Sequence, residues 1–340
     1  AGTEEAFQMK LTVLVPTYRR SQDLARCLAA LQQQTRLADE ILIVVREEDR
    51  ETSQFFAANR YPSLGLRLIT VTVPGQVAAL NAGLDAARGD VIAITDDDAA
   101  PHPYWLERIE AHFRADDRLG GLGGRDWVYT NGQLIDASVH PGASDTVGRL
   151  QWFGRSIGNH HICTGKAREV DILKGANMSF RRTALDGLRF DSRLKGTGAQ
   201  VCNDMGFSLA VKKAGWKLVY DPQVAVDHYP AQRFDEDQRN QFNAVAQVNL
   251  AHNETLVTLE NLAPYQRVVF LIWSTLVGTR SIFGVVQLIR FLARERTLAI
   301  QKWLASMQGR WQGWQTWWRS RTKNQHGILV KSGNEFNNAA

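Results

Sequence analysis

The sequence predicts an α/β fold: a mostly parallel, Rossmann-like sheet flanked by helices, followed by a C-terminal amphipathic helical segment. Three observations carry this expectation. Four apolar, strand-like runs alternate with helical patterns over about the first hundred residues, the alternation that gives parallel strands joined by right-handed crossovers. The fourth run, Val91–Ile94, stops at three consecutive acids, Asp96, Asp97 and Asp98. Past residue 230 the pattern turns helical, basic and rich in Trp.

The chain has 340 residues, 44% hydrophobic and 22% charged, enough for one large domain or two around a substantial core. Cys27, Cys163 and Cys202 form neither a metal-spaced pair nor an even-numbered disulfide framework, so a reducing compartment is expected. No basic segment leads into an apolar run at the N-terminus, so no signal peptide is expected. The net charge of +5 is uneven. Between Tyr265 and Lys331 eleven Lys/Arg face one acid, Glu295, and six of the ten tryptophans lie there, so an anionic surface is the expected partner.

Taken in order, residues 1–9 read as a loose leader. Residues 10–15 form the first strand, ended by Pro16; a polar turn, 17–20, follows, and Ser21 is expected to cap a helix carrying Leu24, Cys27, Leu28 and Leu31. The second strand is 40–45, followed by the charged stretch 46–51 and a helix holding Phe55 and Phe56. Residues 66–73 are the third strand, 78–87 a short helix, and Arg88-Gly89-Asp90 turns into the acid-tipped strand. No Gly-x-Gly-x-x-Gly follows the first strand, which counts against a dinucleotide dehydrogenase. A helix begins near Trp105. Beyond it 120–124 is glycine-rich, 127–129 a short strand, 131–168 a loop, and 170–173 a strand leading into Lys174-Gly175-Ala176-Asn177. The flexible segment 196–204 opens a helix that Gly215 ends, and 216–221 and 224–228 read as two further strands.

Three carboxylates at a strand's end repel one another, and in an α/β sheet that end is where ligands bind. A divalent cation relieves the repulsion, and Mg²⁺ or Mn²⁺ held by one or two carboxylates commonly carries substrate phosphates. The competing reading is a solvated acidic turn that caps the next helix.

In sequence order, Val-Pro-Thr-Tyr-Arg-Arg after the first strand, Leu80-Asn81-Ala82-Gly83-Leu84 before Arg88-Gly89-Asp90, the Asp-Asp-Asp turn before Pro and Trp-Leu-Glu, Gly-Ala-Asn-Met-Ser-Phe-Arg-Arg, and Asn-Asp opening a helix that ends Lys-Ala-Gly-Trp resemble a family 2 glycosyltransferase of the GT-A fold. The resemblance covers roughly residues 11–229. It implies a nucleotide-diphosphate sugar as donor, expected to be UDP-linked, a divalent metal (Mn²⁺ or Mg²⁺) and an inverting displacement. A metal fixed by acids stabilises the charge that develops on the leaving diphosphate. By the same resemblance Asp96 and Asp98 form the metal pair, with Asp98 the direct ligand and Asp96 or Asp97 reaching the ribose or a metal-bound water. Asp204 matches the general base, preceded by Asn203 where the family usually has Glu; its other reading is a helix N-cap. His228 either completes the metal shell or is a packed residue. His160 and His161 receive no role.

On the donor side the resemblance implies Pro16, Thr17, Tyr18 and Arg19, with Asn81 and Arg88. Arg46 stands where the family has an acid, and Glu47 either bonds the base or ribose or lies in a solvated loop. Gly175, Ala176 and Asn177, with Asn203, are expected under sugar and acceptor, small residues allowing close approach, or else form an ordinary tight turn. Residues 10–230 would then be the glycosyltransferase domain, 10–100 its nucleotide-binding half and 101–230 its acceptor half.

The C-terminal part, 231–323, is expected to associate with a membrane. Arg280 interrupts two apolar stretches, 268–278 and 282–292, which makes a poor span and favours two short interfacial helices. Leu304, Met307, Trp311, Trp314 and Trp318 share one helical face, and Arg310, Arg319, Arg321 and Lys323 would reach anionic headgroups. The alternative is a helix packed on the catalytic domain or a second subunit. Residues 324–340 are expected to be disordered. The whole reads as a peripheral enzyme on the cytoplasmic face of the plasma membrane, acting on a lipid-linked or polysaccharide acceptor; no nucleic acid is expected and the oligomeric state stays open. A nucleotidyltransferase would show a Gly-rich Lys/Arg signature after the first strand, and a nucleic-acid-binding tail would show steep salt dependence.

Overall fold

Strand β1 (Leu11–Thr17) pairs in parallel with β2 (Glu40–Arg46) on one side and β4 (Val91–Ile94) on the other, and β2 pairs with β3 (Leu66–Val71). Strands β1, β2 and β4 are covered on both faces, which is why they read as near-continuous apolar runs. The computed structural model describes residues 8–135, 145–238 and 241–335, with side chains to residue 322. Leader residues 1–7 and the segment 336–340 lie outside the described residues.

Helices α1 (Ser21–Gln32), α2 (Arg50–Ala58) and α3 (Gln76–Ala86) connect these strands in order. Alternate side chains of β1 serve two cores. Leu11, Val13 and Val15 pack with α1 and α4 (Trp105–Ala115), while Leu14 faces α3. The sheet continues from β4 through β11 (Met178–Arg181), β6 (Leu119–Thr130) and β12 (Lys217–His228) to β10 (Arg168–Glu169). Strand β11 is antiparallel to both neighbours, and β6 and β12 are parallel. Short β5 (Ala99–Pro101) pairs with the end of β12, β7 (Gln133–Leu134) with the end of β6, and β8 (Arg149–Leu150) with β9 (Ser156–Ile157).

Several expectations are corrected here. Segments 216–221 and 224–228 are one strand, β12, interrupted by an irregularity between Asp221 and Val226. The expected strand 127–129 is part of the far half of β6, which starts at Leu119 and contains the whole glycine-rich run. Of residues 170–173 only Val170 still bonds β12, its amide donating to Leu218 O (3.0 Å); the Asp171 and Ile172 amides turn to Gly148 O and the Leu173 amide to the Ser208 hydroxyl (3.0 Å). Ser21 does not cap α1; its hydroxyl donates to Glu51 Oε1 (2.7 Å).

The C-terminal segment is not a separate layer. Helices α5 (Asn203–Lys213) and α6 (Ala244–Asn261) share one core with α3, joined by Phe270 of α7 (Pro264–Leu276) and Trp317 of α9 (Thr297–Glu335). Helix α8 (Val285–Glu295) follows the bridge between Gly278 and Phe283. The long α9 lies against α6 because two glycines let the backbones approach. A Cβ at Gly309 would come within 2.4 Å of Val248 O, and one at Gly313 within 2.6 Å of His252 O. The same face buries Ala305, Ser306, Arg310 and Trp317. Arg310, expected at headgroups, is only 5% exposed and sits 3.5 Å from Glu254 Oε2. The backbone of α9 is described to Glu335.

The opposite face of α9 remains open. Trp311 and Trp318 are 58% and 53% exposed, and Trp311, Trp314 and Trp318 stack in series at 5.0 and 5.8 Å. No helix of the described residues is long and apolar enough to cross a membrane. Gly313→Val should lower stability by about 1–3 kcal/mol or more through overpacking against α6, read as a shifted denaturant midpoint. An unchanged midpoint would mean that α9 is not seated on α6.

Candidate active site at the acid-tipped strand

After Ile94 the chain leaves β4 and turns. The Thr95 hydroxyl fixes the exit by donating to Ala176 O (2.9 Å). Asp97 and Asp98 are each 2% exposed, while Asp96 is half-buried on the wall of a cleft. Thr17 Oγ1 donates to Asp97 Oδ2 (2.8 Å), and Arg20 Nη1 donates to Asp97 Oδ1 (2.9 Å) while lying 3.9 Å from Asp98 Oδ2. The Ala231 amide donates to Asp98 Oδ2 (2.9 Å). His228, at the end of β12, brings Nε2 to 3.4 Å from Asp98 Oδ1. Behind it Asp126 of β6 lies 4.0 Å from His228 Nδ1 and pairs with Lys174 Nζ at 2.8 Å.

The ionisation of the cluster follows from this crowding. Burial pushes Asp96 up to about 6, and the neighbouring Asp98 charge adds to the rise. Burial also raises Asp97, although Arg20 opposes it. Asp98 is held below the usual carboxylate range: burial opposes this, but His228, the Ala231 amide and Arg20 outweigh it. His228 is raised, because Asp98 and Asp126 outweigh its burial. Asp96, Asp98 and His228 have ligand atoms within 4.8 Å of one another, and neither buried ring nitrogen of His228 has a hydrogen-bond partner among the described residues. Two carboxylates and an imidazole suit Mn²⁺ or Mg²⁺, so these residues fit a divalent cation.

The cleft runs from the acids along the carboxyl ends of β1–β3. Tyr18, Val44, Arg46 and Val71 form a slot at one end. Arg46 stacks over Tyr18 at 4.1 Å, donates to Thr197 O, and Phe234 meets Tyr18 edge-on at 6.2 Å. Gln76 bridges the cleft floor, donating to Asp96 Oδ1 (3.2 Å) and accepting from Asn203 (3.3 Å). The segment 233–235 forms the outer wall, where Asp235 Oδ2 accepts from the Ala199 amide (2.9 Å).

Of the residues singled out in the sequence, the fold gathers Pro16, Thr17, Tyr18, Asp96, Asp97, Asp98 and, beside them, His228. Asp204 occupies the first turn of α5, where its Oδ2 accepts from the Gly175 amide (3.2 Å). It is not the N-cap: Cys202 is, with φ +72°. Lys174 links the two regions, since it feels both Asp204 and Asp96 after its main partner Asp126.

Other residues singled out in the sequence lie apart from the acid turn or are engaged elsewhere. Arg19 is exposed and rests 5.0 Å from the Tyr18 ring centroid; its neighbour Arg20 reaches the acids instead. Glu47 is exposed and outside the cleft wall. Asn81 spends its amide on the Phe190 backbone (2.9 and 3.0 Å). Arg88 sits at the other end of β1 and β4, near Lys10 and Thr12, its amide on Glu40 Oε2 (3.0 Å). Asn177 is buried and committed to Trp105 Nε1 (2.9 Å) and Val224 O (2.7 Å). Ala176 is buried, and Asn203 braces Ala199 O and Gln200 O. His160 bonds Ile172 O (3.0 Å). Sequence reasoning missed Arg20, Gln76, Asp126 and Lys174. A lone acid inside the glycine-rich β6 run was the available signal for Asp126.

A family model described as "Glycosyltransferase like family 2" matches residues 8–246. The chain is 30% identical to chondroitin synthase of Escherichia coli over 123 residues, 36% of this chain and 18% of that protein. It spans less than half the length of the curated relatives it matches. Among solved structures, S. aureus TarS 1-349 with UDP-GlcNAc superposes with a TM-score of 0.57 at 16% identity, covering 88% of this chain and 79% of that one. The mannosyltransferase PcManGT from Pyrobaculum calidifontis, with GDP-Man and Mn²⁺, gives 0.55 at 16% identity, covering 91% and 88%. At that identity the likeness shows the fold, which is GT-A.

Mn²⁺ at a hundred times its Kd should stabilise chelator-treated protein by about 2.7 kcal/mol, raising its Tm. Asp98→Ala and His228→Ala should each remove most of that rise. A rise of parental size in Asp98→Ala would exclude the acid turn as the metal site.

Proposed function

Because the chain belongs to the family-2-like glycosyltransferases, we propose that it transfers a sugar, with inversion, from a UDP-linked donor to a lipid-linked or polysaccharide acceptor. The observation that carries this reading is one cleft joining an aromatic-edged slot to the three-acid turn. Tyr18, Val44 and Val71 suit the face of a nucleobase, and Arg46 offers its guanidinium to base or ribose oxygens. Asp96, Asp98 and His228 would hold the divalent cation. When bound, that cation neutralises charge on the departing diphosphate.

The rest of the step falls to the chain's own groups. Arg20 balances Asp97 and the back of Asp98, which keeps the acid turn in place. Asp204, oriented by the Gly175 amide, takes the proton of the acceptor hydroxyl. The acceptor oxygen then bonds to the anomeric carbon from the face opposite the leaving group. The anomeric C–O bond breaks with its electron pair going to the diphosphate, and the configuration inverts.

The same proposal places the enzyme peripherally on the cytoplasmic face of a membrane. What supports it is the surface of α7–α9. Tyr265, Val268, Ile272 and Leu276 recur at steps of three and four on α7 and are 52–67% exposed; Ile289 of α8 is 68% exposed. Arg280, Arg290, Arg294, Arg296, Arg319 and Arg321 are exposed around them. The one acid between residues 264 and 322, Glu295, is paired with Lys302 (2.7 Å). Apolar stripes edged by arginine are complementary to an anionic lipid interface.

A thermal-shift panel of nucleotide sugars with Mn²⁺ tests the donor: UDP-linked sugars should stabilise the protein selectively, and selectivity for another base would overturn that assignment. Asp204→Asn should keep donor binding and lose transfer by about 10²–10⁴-fold; retained transfer would place the base elsewhere. Ile289→Glu combined with Trp311→Glu should abolish co-sedimentation with phosphatidylglycerol vesicles while leaving Tm near parental. Undiminished co-sedimentation would exclude this face.

A further inference from the structure

Segment 195–202 has two duties. Thr197, Gly198 and Ala199 line the cleft, and its end delivers Asn203 and Asp204 to α5. Its backbone is strained. Gly196 has φ +125°, and two residues with side chains, Gln200 and Cys202, sit at φ +41° and +72°. Such conformations persist only where the surroundings over-determine them.

Glu236, Asp235 and Asn203 hold its middle, and a single buried side chain ties its two ends. Asn253, fully buried in the middle of α6, accepts from the Lys195 amide (2.8 Å) and donates to Lys195 O (2.9 Å) and Val201 O (3.0 Å). Both ends of the strained segment are thereby tied to one point. The clamp is backed by α9: His252 Nδ1 contacts Asn253 Oδ1 (2.9 Å), His252 Nε2 contacts Thr316 Oγ1 (3.0 Å), and Lys195 Nζ donates to Gln312 Oε1 (2.6 Å). A buried amide loses heavily if its partners move, so this network specifies one loop conformation.

We propose that Asn253 is a positioning residue for sugar transfer: it fixes segment 195–202, and through it the first turn of α5 that carries Asp204. The proposal rests on the reading of Asp204 as the base. It makes α6, with α9 behind it, part of the catalytic unit as well as the support of the exposed C-terminal face. Asn253 touches neither the slot nor the acid turn, so its effect should fall on turnover more than on donor affinity.

The experiment compares Asn253→Ala with Thr255→Ala in the full chain. Thr255 is buried on the same helix, beneath Gly313, and makes no hydrogen bond to the segment through its side chain. Asn253→Ala should lose kcat by about 10²-fold, the penalty of a small misplacement of reacting groups, with Kd for UDP changed far less. Hydrogen exchange at the Lys195 amide should accelerate in Asn253→Ala and not in Thr255→Ala. Parental kcat in Asn253→Ala, or an equal loss in Thr255→Ala, would overturn the proposal. If Asn253→Ala is not recovered folded, Asn253→Asp keeps the acceptor for the Lys195 amide and loses both donations; parental kcat there overturns the proposal equally. Activity in Asp204→Asn would sink the base assignment itself, whereas an inactive Asp204→Asn beside a fully active Asn253→Ala would sink only the clamp.

Discussion

Three adjacent carboxylates at the end of a buried strand set the terms for the rest of this structure. Left alone, Asp96, Asp97 and Asp98 would repel one another in a place where water screens them poorly. The fold answers from several directions. Thr17 and Arg20 come from the end of β1, His228 from the end of β12, and the Ala231 amide from the segment that follows. Against its burial, Asp98 is held low by His228, the Ala231 amide and Arg20, while burial raises Asp96.

The second half of the sheet changes direction beside that cluster. Strand β11 runs antiparallel between β4 and β6, so the turn before it, Lys174–Asn177, meets the carboxyl end of β4. Lys174 then stands between Asp126 and the region of Asp204, and Gly175 gives its amide to Asp204. The clustered acids and the proposed base thus belong to different elements of the fold, and the short turn Lys174–Asn177 lies between them. Glu236 adds a tie from the outer wall, accepting from the Thr197 hydroxyl (2.8 Å) and from Asn249 of α6 (2.8 Å).

Helix α9 serves two environments at once. Its small residues and Trp317 fit against α6, where the close approach admits no extra methyl group, while Trp311 and Trp318 face outward. One face of α9 is packed on α6 and the other is open. Arg310 shows why charge alone misleads: it lies on the packed face and pairs with buried Glu254, whose pKa burial raises against the pull of Arg310.

The sequence by itself determined the alternation of strands and helices, the acid turn, the motif order and the aromatic face of α9, because each is a local pattern. Period 2, period 3.6 and covalent adjacency survive in one dimension. Only the tertiary structure decided which arginine of the pair reaches Asp97, 77 residues away, and that the side chains of Asn81 and Asn177 bond the Phe190 backbone and Trp105. It alone put Asn253 on Lys195 and Val201, across 58 and 52 residues. Contacts at such separations are fixed by sheet register and by how closely two helices can approach. Neither leaves a periodic trace in the chain, and the small residues that permit the approach look the same in a sequence wherever they point.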